Sequence, residues 1–134
     1  MRRPRWLVIL LSVVLVLLVV GAVGFYQINQ SLQSLLEEAD VTDIDFQTLS
    51  DGVYQGSFGG IPVYASVETH VADGRVETIR LVEHRHGRGW SGEAVIEEIL
   101  ETQSLQVDTV SGATISSLVI LKAVERSLLQ TETP

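Results

Sequence analysis

The 134-residue chain contains no cysteine, and that single absence removes several chemistries. A disulfide framework, a lipid-modified cysteine anchor, a thiolate-held iron–sulfur cluster and a Cys-x-x-Cys-His haem attachment are all excluded. Proline is scarce, with three residues, so no proline-rich linker sets off a second domain. Positive charge is scarce too: nine Lys and Arg stand against seventeen Asp and Glu. Three of the nine, Arg2, Arg3 and Arg5, lie at the extreme N-terminus, and no other basic residue occurs before Arg75. The remainder therefore holds six basic residues against seventeen acidic ones, a formal charge of −11. Such a surface is repelled by phosphate backbones and anionic head groups, which argues against nucleic acid and against peripheral membrane binding. There is no catalytic triad, P-loop, Rossmann fingerprint or motif-bound pair of catalytic carboxylates.

What the chain does have is one long apolar run. Residues 7–26 contain no charged side chain, and as a helix rising 1.5 Å per residue they span roughly the 30 Å hydrocarbon core. Trp6 and Tyr26 stand at its two ends, where amphipathic rings favour the interfaces. The arginines ahead of the run keep residues 1–6 cytoplasmic as a basic tail and export the remainder of the chain. A cleaved signal peptide is the competing reading, with Ala22, Val23 and Gly24 as small residues for a peptidase; the length of the run favours a retained anchor. The expected location is a single-pass protein of the cell membrane with an extracytoplasmic C-terminal domain.

Residues 27–42 read as a connector. Leu32, Leu35, Leu36 and Ala39 fall at helical spacing and suggest a short amphipathic stalk, with an acidic patch after it. The globular unit is placed at residues 43–134, with strands first and helices later. Residues 53–58 form a candidate strand. In a second, Val63, Ala65, Val67 and Thr69 alternate with Tyr64, Ser66, Glu68 and His70. Asp73 and Gly74 both tolerate positive φ and predict a hairpin turn into a third strand over 76–83, where Val76, Thr78, Arg80 and Val82 oppose Glu77, Ile79, Leu81 and Glu83. Residues 84–90, rich in glycine and polar groups, read as a loop. Ser91 is positioned to cap a helix over 92–102, with Ala94, Val95, Ile96 and Ile99 toward the core. Leu105 and Val107 suggest a short strand. A last helix over 115–130 carries Ile120, Leu121, Val124 and Leu128 on one arc and Lys122, Glu125 and Arg126 on the other. The expected fold class is α+β: a small antiparallel sheet packed with helices, preceded by one N-terminal transmembrane helix.

The chemistry concentrates in Asp108-Thr109-Val110-Ser111-Gly112-Ala113-Thr114 and the nearby hydroxyls of Ser116 and Ser117. A tight Gly-Ala turn here delivers a hydroxyl residue to the start of a helix. The first amides of a helix are unpaired and carry the positive end of the macrodipole, so a phosphate is held there without a basic side chain. On capping grounds alone, the same residues read as an ordinary helix cap.

The run resembles the flavinylation motif of the FMN-binding domain family: Asp, two variable residues, Ser or Thr, Gly, Ala, Thr. The resemblance extends over residues 51–129, through Asp51-Gly52-Val53-Tyr54-Gln55-Gly56, the strand pair turning at Asp73-Gly74, the segment from His84 to Trp90, and then helix and motif. It implies that a separate flavin transferase moves FMN from FAD onto Thr114 as a phosphoester. Thr114 has no adjacent base to make its alcohol a nucleophile unaided, so modification requires that enzyme. Within this reading Asp108 orients the acceptor turn or meets the transferase's metal, or is a satisfied turn aspartate. Ser111 supplies a hydroxyl to the phosphate or turn, and Gly112 and Ala113 admit close approach. The amides of Ser116 and Ser117 help hold the phosphate. For the flavin ring, Trp90 and Tyr54 are candidates for flat contact, and His84 and His86 for hydrogen bonding. Two alternating histidines with no nearby third ligand make a weak metal signal, so no metal site is expected.

The resemblance implies a membrane-anchored flavoprotein carrying covalent FMN, similar to the flavinylated domains of sodium-pumping quinone reductases and Rnf-type complexes. Its expected partners are a flavin transferase, a membrane reductase and an extracytoplasmic electron acceptor. The alternatives are a flavin-free envelope interaction module, or a flavoenzyme reducing a small acceptor directly.

Overall fold

The computed structural model describes residues 4–87 and 90–130. Arg2 and Arg3, on which the expected orientation partly rests, lie outside them, as do Arg88 and Gly89 of the expected loop. Helix α1 (Arg5–Glu38) leads into a 3-10 turn (Phe46–Thr48) and then β1 (Gly52–Gly59), β2 (Tyr64–Ala72) and β3 (Arg75–Arg85). A second 3-10 turn (Trp90–Ala94), α2 (Val95–Thr102) and α3 (Thr114–Leu129) complete the order. The strands form one antiparallel sheet in the order β1-β2-β3. With three helices beside it, the fold is the expected α+β arrangement.

Helix α1 is one continuous rod of 34 residues. It is long and apolar enough to cross a membrane. The connector's first half is therefore not a separate stalk helix but the end of α1, because nothing between Tyr26 and Glu38 breaks the helical backbone. Beyond α1 the chain is tied into the domain. Ala39 is buried in the core, and Leu35 and Val41 pack against it. The Thr42 amide donates to Oε1 of Glu125 at 3.2 Å, and Lys122 Nζ donates to the Asp40 carbonyl at 2.6 Å.

Glu125 is not on a wet face of α3, as its place in the pattern suggests. It is 2% exposed, with Lys122 Nζ 2.5 Å from its Oε2. The incoming connector, not solvent, covers this side of α3, and the Glu125 carboxylate is what receives it. The connector also explains why Leu105 and Val107 form no strand. The Leu105 amide donates to the Asp43 carboxylate at 3.0 Å and Gln106 Nε2 to the Val41 carbonyl at 3.2 Å, so partners come from the connector and not from a strand ladder.

β2 keeps the expected alternation: Val63, Ala65, Val67 and Thr69 are buried and their neighbours are not. β3 departs from strict alternation because two irregularities interrupt its register, between His70 and Val71 and between Ser66 and Val67 on β2. They leave Glu77 and Val82 without opposing residues. A bulge adds one residue on one strand and shifts all later side chains to the other face. Val76, Ile79, Leu81 and His84 thus share the covered face, opposite Val71, Thr69, Val67 and Ala65. β3 also continues through Arg85, two residues past the expected end of the strand.

Helix α3 crosses that face, with Val119, Ile120, Val124 and Leu128 buried. Its backbone meets β1 directly: a Cβ on Gly56 would lie 2.3 Å from the Ser127 amide nitrogen and 2.4 Å from the Ala123 carbonyl oxygen. Ser127 Oγ and Thr69 Oγ1 hydrogen-bond across the interface at 2.9 Å. Helix α2 buries Val95 and Ile99 as expected, but Ala94 is exposed and Ser91 does not cap it. The five residues before α2 instead wind into the 3-10 turn, which brings Gly92 against the start of α3. Gln103 closes α2 at φ 53°, and its side-chain amide both accepts from the Val76 N–H and donates to the Val76 carbonyl, at 2.9 Å each, pinning the helix to β3.

This packing generates two predictions. Gly56→Ala should destabilise the protein by about 1–3 kcal/mol or more, since backbone atoms on both sides cannot yield as a side chain would; thermal denaturation in detergent measures it. On the open face, the Arg80 guanidinium, then His70 and Gln55, hold the Glu68 carboxyl at about 2, below its ordinary 4.5. A depressed carboxylate contributes stability above its unfolded value and loses it as pH falls through the folded value. The wild-type melting temperature should therefore drop more steeply than that of Glu68→Gln between pH 5 and about pH 2, a difference read from paired melting curves.

Candidate functional site

Residues 110–113 form a turn closed by the Ala113 amide donating to the Val110 carbonyl at 2.9 Å. Gly112 takes the third position with φ 78°, the left-handed value that a side chain would strain. Ser117 locks the turn from below. It is fully buried, and its Oγ accepts from the Val110 amide at 3.1 Å and donates to the Ala113 carbonyl at 2.9 Å. The sequence motif thus folds onto the first turn of its own helix.

Helix α3 begins at Thr114 with Ala113 as its N-cap, and no side chain caps it. Among the described residues nothing accepts a hydrogen bond from the amides of Thr114, Ile115 or Ser116. Ser111, Gly112 and Thr114 are exposed, while Ala113 and Ser116 are buried. The capping reading of the motif is not what forms: the residue in the cap position is an alanine with no oxygen to offer. Three unpaired donors and the positive helix end remain beside an exposed hydroxyl, which suits an anion. Ser117 does not add a fourth donor, because its amide is bonded to the Ala113 carbonyl at 2.9 Å.

A groove of about 460 Å³ opens beside this turn. Leu32, Pro62, Val63, Gly87 and Ile115 wall it together with residues 112–114 and Ser116. Its surfaces are mostly apolar and none of these residues is a titratable base. Leu32, Pro62, Val63 and Gly87 are site residues that the sequence does not mark as such. Leu32 does carry a signal, its helical spacing with Leu35 and Ala39, whereas the others are brought here only by the sheet's β1-to-β2 corner and by the end of β3.

The other expected contacts are distributed differently. Asp108 is exposed and makes no hydrogen bond among the described residues, so it is not a satisfied turn aspartate. Trp90 is 69% exposed, two residues before Gly92, where an added Cβ would lie 2.8 Å from Ser116 Cβ. Tyr54 is not brought to the turn. It sits five residues before Gly59, about 16 Å along an extended strand, and α3 runs so that Val119 lies by Gly59 while Ser127 lies by Gly56. Its hydroxyl donates to the Ser50 carbonyl at 2.5 Å. His84 is not a wall of the groove; its side chain, 3% exposed, is turned to Glu93, with Nδ1 2.9 Å from Oε1. The 3-10 turn thus supplies a third potential ligand near His84 and His86, one that sequence spacing does not reveal.

Comparison with known proteins agrees with the motif. The sequence profile of the FMN-binding domain family matches residues 58–129. An uncharacterised protein of Treponema pallidum (strain Nichols) is 36% identical over 85 residues, covering 61% of this chain and 24% of that protein. The chain therefore spans about a quarter of that relative's length. No solved structure matches.

Ser117→Ala tests how the turn is held. It leaves the Val110 amide without its partner in a part-buried setting, and should cost about 1–3 kcal/mol. Hydrogen exchange should quicken at Val110 and Ala113 before it does in the strands.

Proposed function

The chain belongs to the FMN-binding domain family, and on that footing we propose that it is a membrane-anchored carrier of covalently attached FMN that relays electrons between a membrane reductase and an extracytoplasmic acceptor. The observation that carries the reading is the exposed Thr114 hydroxyl on an uncapped helix end with three unpartnered amides. These residues fit a phosphate: the donors are backbone, the approach at Gly112 is open, and Ala113 adds no bulk above the turn. The neighbouring groove fits an aromatic ring system in size and in its apolar lining.

When bound, FMN supplies reversible electron transfer. The chain's own residues attach, orient and shelter. Thr114 Oγ1 would be the point of phosphoester attachment, and the amides of Thr114, Ile115 and Ser116 would donate to the phosphate. Ser111, exposed beside the turn, offers a further hydroxyl. Pro62, Val63, Ile115 and Leu32 offer apolar contact, with Trp90 available from the 3-10 turn. No base lines the groove, which supports attachment by an external transferase, and the free Asp108 carboxylate is accessible to that enzyme.

Arg5 and the residues before it support a cytoplasmic N-terminus and an exported domain. Leu32 lies six residues beyond Tyr26, about 9 Å along the helix. That nearness of the groove to the end of the apolar run favours a donor in the membrane. Retaining the cofactor covalently suits a compartment where lost FMN would not be replaced.

The intact mass of the full chain in detergent, co-expressed with a flavin transferase and supplied with FAD, tests the reading. A gain of one FMN less one water is expected in the wild type and not in Thr114→Val. No gain, with the transferase active on a control substrate, would overturn covalent flavinylation and move the weight to a flavin-free envelope module.

A further inference from the structure

The second bulge of β3 has turned His84 away from solvent. With Val82 left unopposed, His84 pairs with Ala65 on the covered face, and its side chain is 3% exposed. Glu93 Oε1 takes up one ring nitrogen, Nδ1, at 2.9 Å. The other, Nε2, is buried and has no partner among the described residues, and the same holds for Nδ1 of His86. The two rings lie 4.5 Å apart and tilted by 44°. Leaving a buried polar atom unpaired is costly, and here two such atoms belong to neighbouring rings. One ligand atom from each of His84, His86 and Glu93 lies within 4.8 Å of the others.

We propose that His84, His86 and Glu93 form a binding site for a divalent transition-metal ion. The ligands are imidazole nitrogens and a Glu93 carboxylate oxygen, and the remaining positions are left to water. Tetrahedral zinc with bonds of about 2.0–2.1 Å sets its ligand atoms about 3.3 Å apart. The observed atoms, within 4.8 Å of one another, would have to draw together by at most about 1.5 Å around such an ion. Two imidazoles and one carboxylate suit zinc, iron(II) or nickel, and they disfavour calcium and magnesium, which take oxygen ligands.

The position gives the ion a mechanical consequence. It would bind the end of β3 to the 3-10 turn, joining Gly87, a wall of the groove, to Gly92, which supports Ser116. The proposal does not depend on flavin attachment.

The test is calorimetric titration of ZnCl₂ into the untagged full chain in detergent, flavin-free and stripped with EDTA. One ion per chain is expected, not displaced by excess CaCl₂. His86→Asn and Glu93→Gln should each weaken binding at least tenfold, by the usual cost of disturbing a ligand or its partner. His70→Ala, on the opposite face of the sheet, should leave binding unchanged. Zinc-edge X-ray absorption of the wild type needs no variant and should show imidazole scattering. Absence of stoichiometric binding, oxygen neighbours alone, or equal affinity in His86→Asn and Glu93→Gln would overturn the site.

Discussion

Everything in this domain is referred to the contact of α3 with β1 at Gly56. A helix that lies on a sheet through side chains can slide or tilt by small amounts. One whose amide and carbonyl atoms meet a strand where no Cβ intervenes has little such freedom. From that contact the direction of α3 is set, and with it the placement of its first turn at the corner between β1 and β2. Gly92 fixes the same helix from the other end, against Ser116 and Ser117. Two close approaches, one toward the end of the helix and one at its start, hold the motif turn in place with no hydrogen bond to the Thr114 hydroxyl among the described residues. Thr114 is thus left exposed while its surroundings are determined.

Polar groups inside the domain serve the same end. Thr69 and Ser127 join sheet and helix, Gln103 joins α2 to β3, and Ser117 joins the turn to α3. Each satisfies donors and acceptors that burial would otherwise leave unpaired. The Glu125 carboxylate does this for the connector, accepting the Thr42 amide beside the Lys122 ammonium. A buried acid in a helix packed against an apolar core is costly in isolation. Here it gives the chain leaving α1 one defined path onto the domain.

Much of this is legible in the sequence wherever a local rule acts alone. The alternation of β2, the Asp73-Gly74 turn and the apolar arc of α3 each depend on neighbouring residues, and each forms as the pattern implies. The motif turn is legible for the same reason: Gly112 and the hydroxyls around it carry their geometry with them. What stays hidden depends on partners far along the chain. Glu125 looks like a solvent-facing residue until residues 40–42 arrive to cover it. The bulges of β3 turn on pairing with β2 and cannot be read from a polar and apolar string, so His84 reads as a loop residue when it is a strand residue facing inward. Tyr54 is grouped with the motif by resemblance, but strand length separates them. The groove walls come from four separate segments, and beyond the motif itself only Leu32 announces itself.

That Leu32 belongs to α1 gives the proposed anchor a second property. A rigid helix running from the apolar segment into the groove wall fixes both the height and the facing of the domain, because each residue of an α-helix adds 1.5 Å and about 100° of rotation. With α1 anchored as proposed, the bearing of the motif turn relative to the bilayer would be a matter of helical phase. Evolution can retune it by lengthening or shortening residues 27–31 in whole turns, whereas a single inserted residue would swing the wall out of register. The stretch just outside the apolar run is in this sense a pointer: its length in turns decides which way the site looks.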